Sequence, residues 1–277
     1  MDFITVVYRG ELDMLPVQAK SIELYAHNIP ENIWVVVNDD ESVAYEIDRA
    51  WWGTMQDRVH VRTRKQLGVP DYGTGWDSQQ LCKLVMASKS TASHAIIFDA
   101  KTWFVKQLKE SDFVNPDTQM IPVPINDIQP VFKDGWDYIV QMLGIDDPNT
   151  QVGPAGVPYI MITDLVRSLF KWIEETQDHK SFIDWFVKYN LYPTLVTEFL
   201  LYSAWEYKTT KYELRTGKQL WRCINIARDE HSIFDEKMQA MRRSNALTAS
   251  IHRDVFKNLT EAQTKEWRDY LNSKGLS

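Results

Sequence analysis

The chain has 277 residues, 44% hydrophobic and 25% charged, with a formal net charge of −7. That length supplies a large core. That acidity excludes a general nucleic-acid binder, whose phosphate contacts need a basic surface, though not one small basic pocket. Two cysteines, Cys82 and Cys223, cannot build a zinc knuckle, and neither sits in a CxxC. Their scarcity fits a reducing, cytosolic setting. The start, MDFITVVYRG, lacks the basic segment and long apolar run of a secretory signal. No stretch approaches the roughly 18 to 20 apolar residues that span a bilayer.

The first half alternates strands and helices. Phe3 to Tyr8 is β-branched and aromatic and reads as a strand closed by Arg9-Gly10. Leu15, Ala19, Ile22 and Ala26 recur at helical spacing, which predicts a helix from Leu12 to Ala26, with Pro16 tolerated in its first turn. Ile33 to Val37 is continuously apolar and predicts a strand buried on both faces. A helix over Val43 to Trp52, a strand over Val59 to Arg64 and a Gly/Pro loop over Gln66 to Gly75 follow. A helix from Trp76 to Ser88 leads into a short apolar strand, His94 to Phe98. This alternation predicts an α/β fold, a mostly parallel sheet flanked by helices.

The second half is mainly helical. Gln119 to Pro130, with three prolines, reads as an extended connection, and Thr150 to Pro158 as a turn-rich loop. Helices are predicted over Trp136 to Leu143, from Thr163 or Asp164 to Glu175, over Phe182 to Tyr189, Thr197 to Tyr207 and Thr260 to Ser273. Strands are predicted over Tyr159 to Ile162 and Leu220 to Ile226. No flexible linker or repeat divides the chain, so residues 1–277 are expected to form one domain, with halves 1–115 and 116–277.

The motif inventory is mostly negative. There is no GxGxxG after the first strand, no GxxxxGK[ST], no GxSxG and no HExxH. What remains lies where strands end. An open α/β sheet takes its ligands outside the carboxyl ends of its strands. Asp39 and Asp40 follow the second strand, where an acid either hydrogen-bonds ribose or caps the next helix. Asp99 ends the His94–Phe98 strand. Lys101, two residues on, points to the same side of an extended chain. An acid and a base facing one way beyond a buried strand fit a metal or a nucleotide diphosphate. A turn residue is the plainer reading of Asp99.

Four segments, WDSQQLCKL (76–84), IIFDAKTWFVK (96–106), TEFLLYSAWEY (197–207) and SIHRDVFKNLT (250–260), resemble in order and spacing the nucleotide-sugar-dependent glycosyltransferases of GT-A fold. Most closely they resemble the bacterial and phage-type branch grouped as DUF6492. The resemblance implies a GT-A, Rossmann-like sheet with a helical C-terminal part. It also implies transfer of a sugar from a nucleoside-diphosphate donor, such as a UDP-sugar, to a glycan hydroxyl, in the cytoplasm of a bacterium or virus-infected cell.

The same resemblance distributes roles. Enzymes of this fold carry DxD at the end of the fourth strand and hold Mn²⁺ or Mg²⁺ with it. Here Asp99-Ala100-Lys101 replaces the second acid with Lys. Asp99 and the late histidine, His252, are the implied metal ligands. Lys101 is either a phosphate-contacting ammonium beside the metal or a substitute for part of its charge. Arg9, Asp39, Asp40, Gln80, Lys83 and Arg253, with Asp99 and Lys101, are the implied donor contacts. Glu198 and Asp164 are the candidate general bases, one at a helix start and one beside the GPAGVP loop. A silent nucleotide- or glycan-binding module and a nucleotidyltransferase are the competing classes. Release of nucleoside diphosphate, of nothing, or of pyrophosphate separates the three.

Overall fold

The computed structural model describes residues 1–114, 130–146, 157–210, 223–228, 230–244 and 246–277. Its central sheet contains β1 (Asp2–Val7), β2 (Ile33–Val37), β3 (Val59–Thr63), β4 (His94–Asp99) and β6 (Tyr159–Ile162), in the order β3-β2-β1-β4-β6. The first four are parallel; β6 runs antiparallel to β4, with Ile162 opposite His94 and Tyr159 opposite Ile97. The alternation along each strand sorts its side chains to two faces. Ile4, Val6, Val36, Ala95 and Ile97 pack under α3 (Gly75–Lys89), α5 (Thr163–Thr176) and α7 (Glu198–Thr210). Phe3, Val7, Val35, Ile96 and Phe98 pack against α1 (Leu15–Ala26) and Trp52. Helices on both faces explain why the central β2 is apolar throughout.

A second, smaller sheet adjoins the first. The short β5 (Thr102–Phe104) pairs antiparallel with β8 (Thr248–Ile251), and β7 (Cys223–Ile226) lies parallel on the far side of β8. Its core joins Trp103, Ile226 and Ile251 to α8 (Phe234–Arg243) and α10 (Glu261–Ser273), with Trp103 meeting Trp267 edge-on at 4.9 Å. The small sheet thus continues directly from the residue that ends β4.

Several predicted boundaries shift for local reasons. The first helix begins at Leu15 rather than Leu12, because Pro16 supplies a helix start and Arg9–Met14 forms a tighter 3₁₀ turn. The helix expected over Val43 to Trp52 stops at Glu46, giving a short α2 (Val43–Glu46). Ile47 is extended, Asp48 accepts the Ala50 N–H at 2.9 Å, and Gly53 has a positive φ of 51° within the following 3₁₀ segment. The remaining helices are α4 (Lys133–Leu143), α6 (Phe182–Tyr189) and α9 (Arg253–Lys257). Residues 119–129, 150–156 and 220–222, where parts of two loops and a strand are predicted, lie outside the described residues.

Candidate functional site

Three parallel strands deliver their carboxyl ends to one edge. Tyr8, Arg9, Gly10 and Glu11 follow β1, Asn38 to Asp40 follow β2, and Asp99 ends β4 beside Val6. The turn after Asp99 is fixed from behind by α1. The Gln18 side-chain amide donates to the carbonyls of both Asp99 and Thr102 at 2.8 Å, and Ser21 Oγ accepts the Phe104 N–H at 3.0 Å. The turn feeds β5 into the second sheet, where Thr102 pairs with Ser250. That antiparallel register brings His252 back toward the Asp99–Lys101 turn.

A chain of five charges runs through this edge. Glu198 Oε1 accepts from Lys83 Nζ at 3.1 Å, and Lys83 Nζ also lies 3.1 Å from Asp99 Oδ1. Lys101 Nζ lies 3.4 Å from Asp99 Oδ2 and 3.6 Å from Glu11 Oε1. The Lys83 side chain is only 4% exposed and lies 5.0 Å from the centre of the Phe199 ring, a cation–π contact. Asp99 and Lys101 are the open members, 20% and 23% exposed. Helix α3 sets Lys83 in place through a capping box, in which Thr74 and Asp77 satisfy each other's backbone N–H groups. Helix α7 begins at Glu198, on the opposite side of Lys83.

The order of charges decides protonation. Burial works against the Asp99 anion, but Lys83 and Lys101 overcome it and hold the carboxyl well below the usual range. Burial also opposes the Lys83 ammonium, and Asp99 and Glu198 override it and raise its pKa. Lys101 is raised chiefly by Asp99. At the two ends, burial pushes Glu198 and Glu11 upward against the pull of their lysines. The centre of the chain is therefore firmly ionic, and its two outer acids are the groups that most readily take a proton.

The other predicted residues divide into near, interior and distant. Arg253 reaches across to β1 and lies over the Tyr8 ring at 5.0 Å, while its Nε donates to Asp254 at 3.3 Å. His252 caps α9, its Nδ1 accepting the Asp254 N–H at 3.2 Å; burial, then Lys101, lowers its pKa. Arg9, Asp39 and Asp40 share the edge but bind one another. Asp39 accepts the Arg9 N–H at 2.9 Å, Asp40 accepts the Ser42 N–H, and Arg9 pairs with Glu46 at 2.7 Å. Gln80 is an interior tie: its carbonyl accepts from Asn190 and from the Glu198 N–H, both at 3.3 Å. Only 1% of its surface is exposed.

Asp164 needs correction. Ile162 pairs with the first residue of β4, so Asp164 lies at the opposite edge of the sheet. At about 3.3 Å per residue that is about 17 Å from Asp99. Its carboxylate is 86% exposed and pairs with Arg167 at 2.6 Å. The GPAGVP loop beside it lies outside the described residues, apart from Val157 and Pro158. The sequence reading, in turn, misses Glu11 and Tyr8. No spacing signals Glu11, which comes from a 3₁₀ turn 88 residues before Asp99.

The divalent cation implied by the family resemblance does not fit this donor set. Both Asp99 oxygens already face ammonium groups, and a lysine stands where a second acid would complete the cage. His252 retains only its Nε2 for a ligand. Among the described residues no three His, Cys, Asp or Glu side chains gather as a metal site.

Fold and site together define an α/β protein with a largely buried ion-pair chain at the carboxyl edge of a mostly parallel sheet. The chain belongs to DUF6492, a family of unknown function, which it matches over residues 8–275. No curated protein matches it in sequence. Among solved structures it is similar to the bifunctional glycosyltransferase WbbM in its apo form, at 11% identity and a TM-score of 0.46, over 97% of this chain. The chain spans about half of WbbM, 51% of its length. It is also similar to mouse xyloside xylosyltransferase 1, at 11% identity and a TM-score of 0.45, over 90% of this chain and 96% of that one. A third similar structure is the galactosyltransferase LgtC with donor and acceptor sugar analogs, at 13% identity and a TM-score of 0.43, over 98% and 100% of the two chains. Among the described residues no helix is long and apolar enough to cross a membrane.

Proposed function

We propose that the protein is a glycosyltransferase, moving a sugar from a nucleoside-diphosphate donor to a hydroxyl of a glycan or related acceptor. One observation carries this reading. Asp99 ends the buried strand β4 with Lys83 and Lys101 on its two oxygens, at the edge where an open sheet takes its ligands. Arg253 adds a third cation beside Tyr8.

In the reaction the acceptor oxygen bonds to the anomeric carbon as the bond from that carbon to the diphosphate breaks. Negative charge grows on the leaving diphosphate, and fixed cations in a shielded site stabilise it without reorganising. Lys101 and Arg253, the partly exposed cations, contact the phosphates. Asp99 orients Lys101 and anchors Lys83. The acceptor's proton goes to Glu198, whose affinity for it is raised by burial. The nucleoside diphosphate then leaves.

The test is incubation with a panel of UDP- and GDP-sugars, scoring release of nucleoside diphosphate. Asp99→Asn keeps the shape and removes the charge. It is expected to cut release at least 100-fold while far-ultraviolet circular dichroism stays unchanged. Wild-type turnover in that variant would remove Asp99 from the site. A second reading, a binding protein without turnover, is favoured by the pairing of both lysines with carboxylates. Nucleotide binding without release would select it. Pyrophosphate release would instead select a nucleotidyltransferase.

A further inference from the structure

Lys83 occupies an unusual position for a solvent-seeking side chain. It is 4% exposed, with a carboxylate 3.1 Å away on each side, one from the end of β4 and one from the start of α7. An ion bridging two acids contributed by separate elements is the structural task of a bound cation. Here a side chain performs it. Lys83 cannot withdraw without leaving Glu198 unpaired in the interior and Asp99 with Lys101 alone, so it is a permanent charge.

Lys101 differs. Its contacts to Asp99 and Glu11 are longer, 3.4 and 3.6 Å, and its side chain is 23% exposed. An ammonium on a flexible four-carbon stem can turn from one anion to another. A diphosphate arriving at the edge would find Lys101 within reach and Asp99 already neutralised behind it. A divalent ion bound to an Asp99 oxygen would instead sit against two ammonium groups, and like charges at that range repel strongly. Mn²⁺ and Mg²⁺ also need several oxygen or nitrogen ligands, and Asp99 is the acid that this edge would have to supply from β4.

We propose that Lys83 and Lys101 are a built-in replacement for a divalent cation, so that this site takes the diphosphate of its ligand without Mn²⁺ or Mg²⁺. The inference rests on the transferase reading for the identity of the ligand, but metal exclusion is measurable without it. The consequence for the protein is a site whose cationic groups, Lys83 and Lys101, do not vary with the metal supply.

The experiment uses the full chain and two readouts. Electron paramagnetic resonance of Mn²⁺ titrated with protein alone is expected to retain the free aquo-ion signal through the micromolar range. Stoichiometric loss of that signal, reversed in Asp99→Asn, would overturn the proposal. Calorimetry with UDP and GDP is expected to give the same affinity in EDTA as in Mn²⁺, and an affinity at least tenfold weaker for Lys101→Met. Binding that requires Mn²⁺, or that Lys101→Met leaves untouched, would overturn it. If neither nucleotide binds under either condition, the transferase reading fails, while the exclusion of metal is still read from the Mn²⁺ spectrum.

Discussion

Lys83 shows how much one residue carries. Of its two acid neighbours Asp99 is partly open and Glu198 is held out of water, and Lys83 is the only ionic partner of Glu198 among the described residues. Removing one member of a buried ion pair leaves an uncompensated charge, which costs about 3–5 kcal/mol. Lys83→Met is therefore expected to lower the urea midpoint sharply at pH 7. Lys83→Met with Glu198→Gln should recover part of the loss, because the stranded carboxylate is gone. Equal losses in the single and double variants would show that Glu198 and Lys83 are not coupled. This scale is also where sequence is least legible. Lys83 and Glu198 each attract notice alone, but they meet across 115 residues, and nothing in their local spacing says so. Gln80 reads as a ligand contact because it shares a helix with Lys83, yet its position faces Asn190 and the interior. Glu11 has no local signature at all, because a 3₁₀ turn leaves no periodic pattern.

Elements are more legible than residues, to the degree that they are regular. Strands β1, β2 and β4 stand out as mainly apolar runs closed by turn residues, and α6 agrees with its predicted limits because its period and its Ser181 cap coincide. The break after Glu46 is hidden, since the helical period continues in the sequence while Asp48 and Gly53 divert the backbone. Strand β5 escapes notice because three residues carry too little periodicity, and β8 because Ala249 and Ser250 leave its four residues without an apolar run. Helix α4 shows how elements transmit position to the site. A Cβ added at Gly135 would lie 2.4 Å from the Leu195 carbonyl oxygen and 2.5 Å from that of Thr194. Both are backbone atoms, which cannot rotate aside. Gly135→Ala should thus cost about 1–3 kcal/mol through overpacking. Because residues 194–197 lead directly into α7, it should also disturb Glu198 and reduce turnover. A variant as stable and as active as the parent would mean that α4 can slide freely.

At the scale of the whole molecule, the three cores meet around the site, and the acids they bury set how stability responds to pH. Glu206, on α7 beyond Glu198, is the clearest case. Burial alone pushes its carboxyl up to about 7 from an ordinary 4.5. In the unfolded chain Glu206 ionises as pH rises past 4.5, whereas in the fold it keeps its proton until about 7. Across that window the folded chain binds more protons, so this group makes stability fall as pH rises and contributes a constant penalty above it. At 1.36 kcal/mol per pH unit the penalty is about 3 kcal/mol. Asp99 contributes the opposite slope at lower pH, since its depressed carboxyl favours the fold once ionised. The informative quantity is thus the difference between wild type and Glu206→Gln, in which the other groups cancel. That difference should be small at pH 4.5, grow in favour of the variant up to pH 7, and stay level to pH 9. It would be measured by urea denaturation at each pH. Parallel curves for the two proteins would show that Glu206 is solvated in the fold, and that α7 is less tightly buried than the packing of its Phe199 and Tyr202 against Tyr159 indicates.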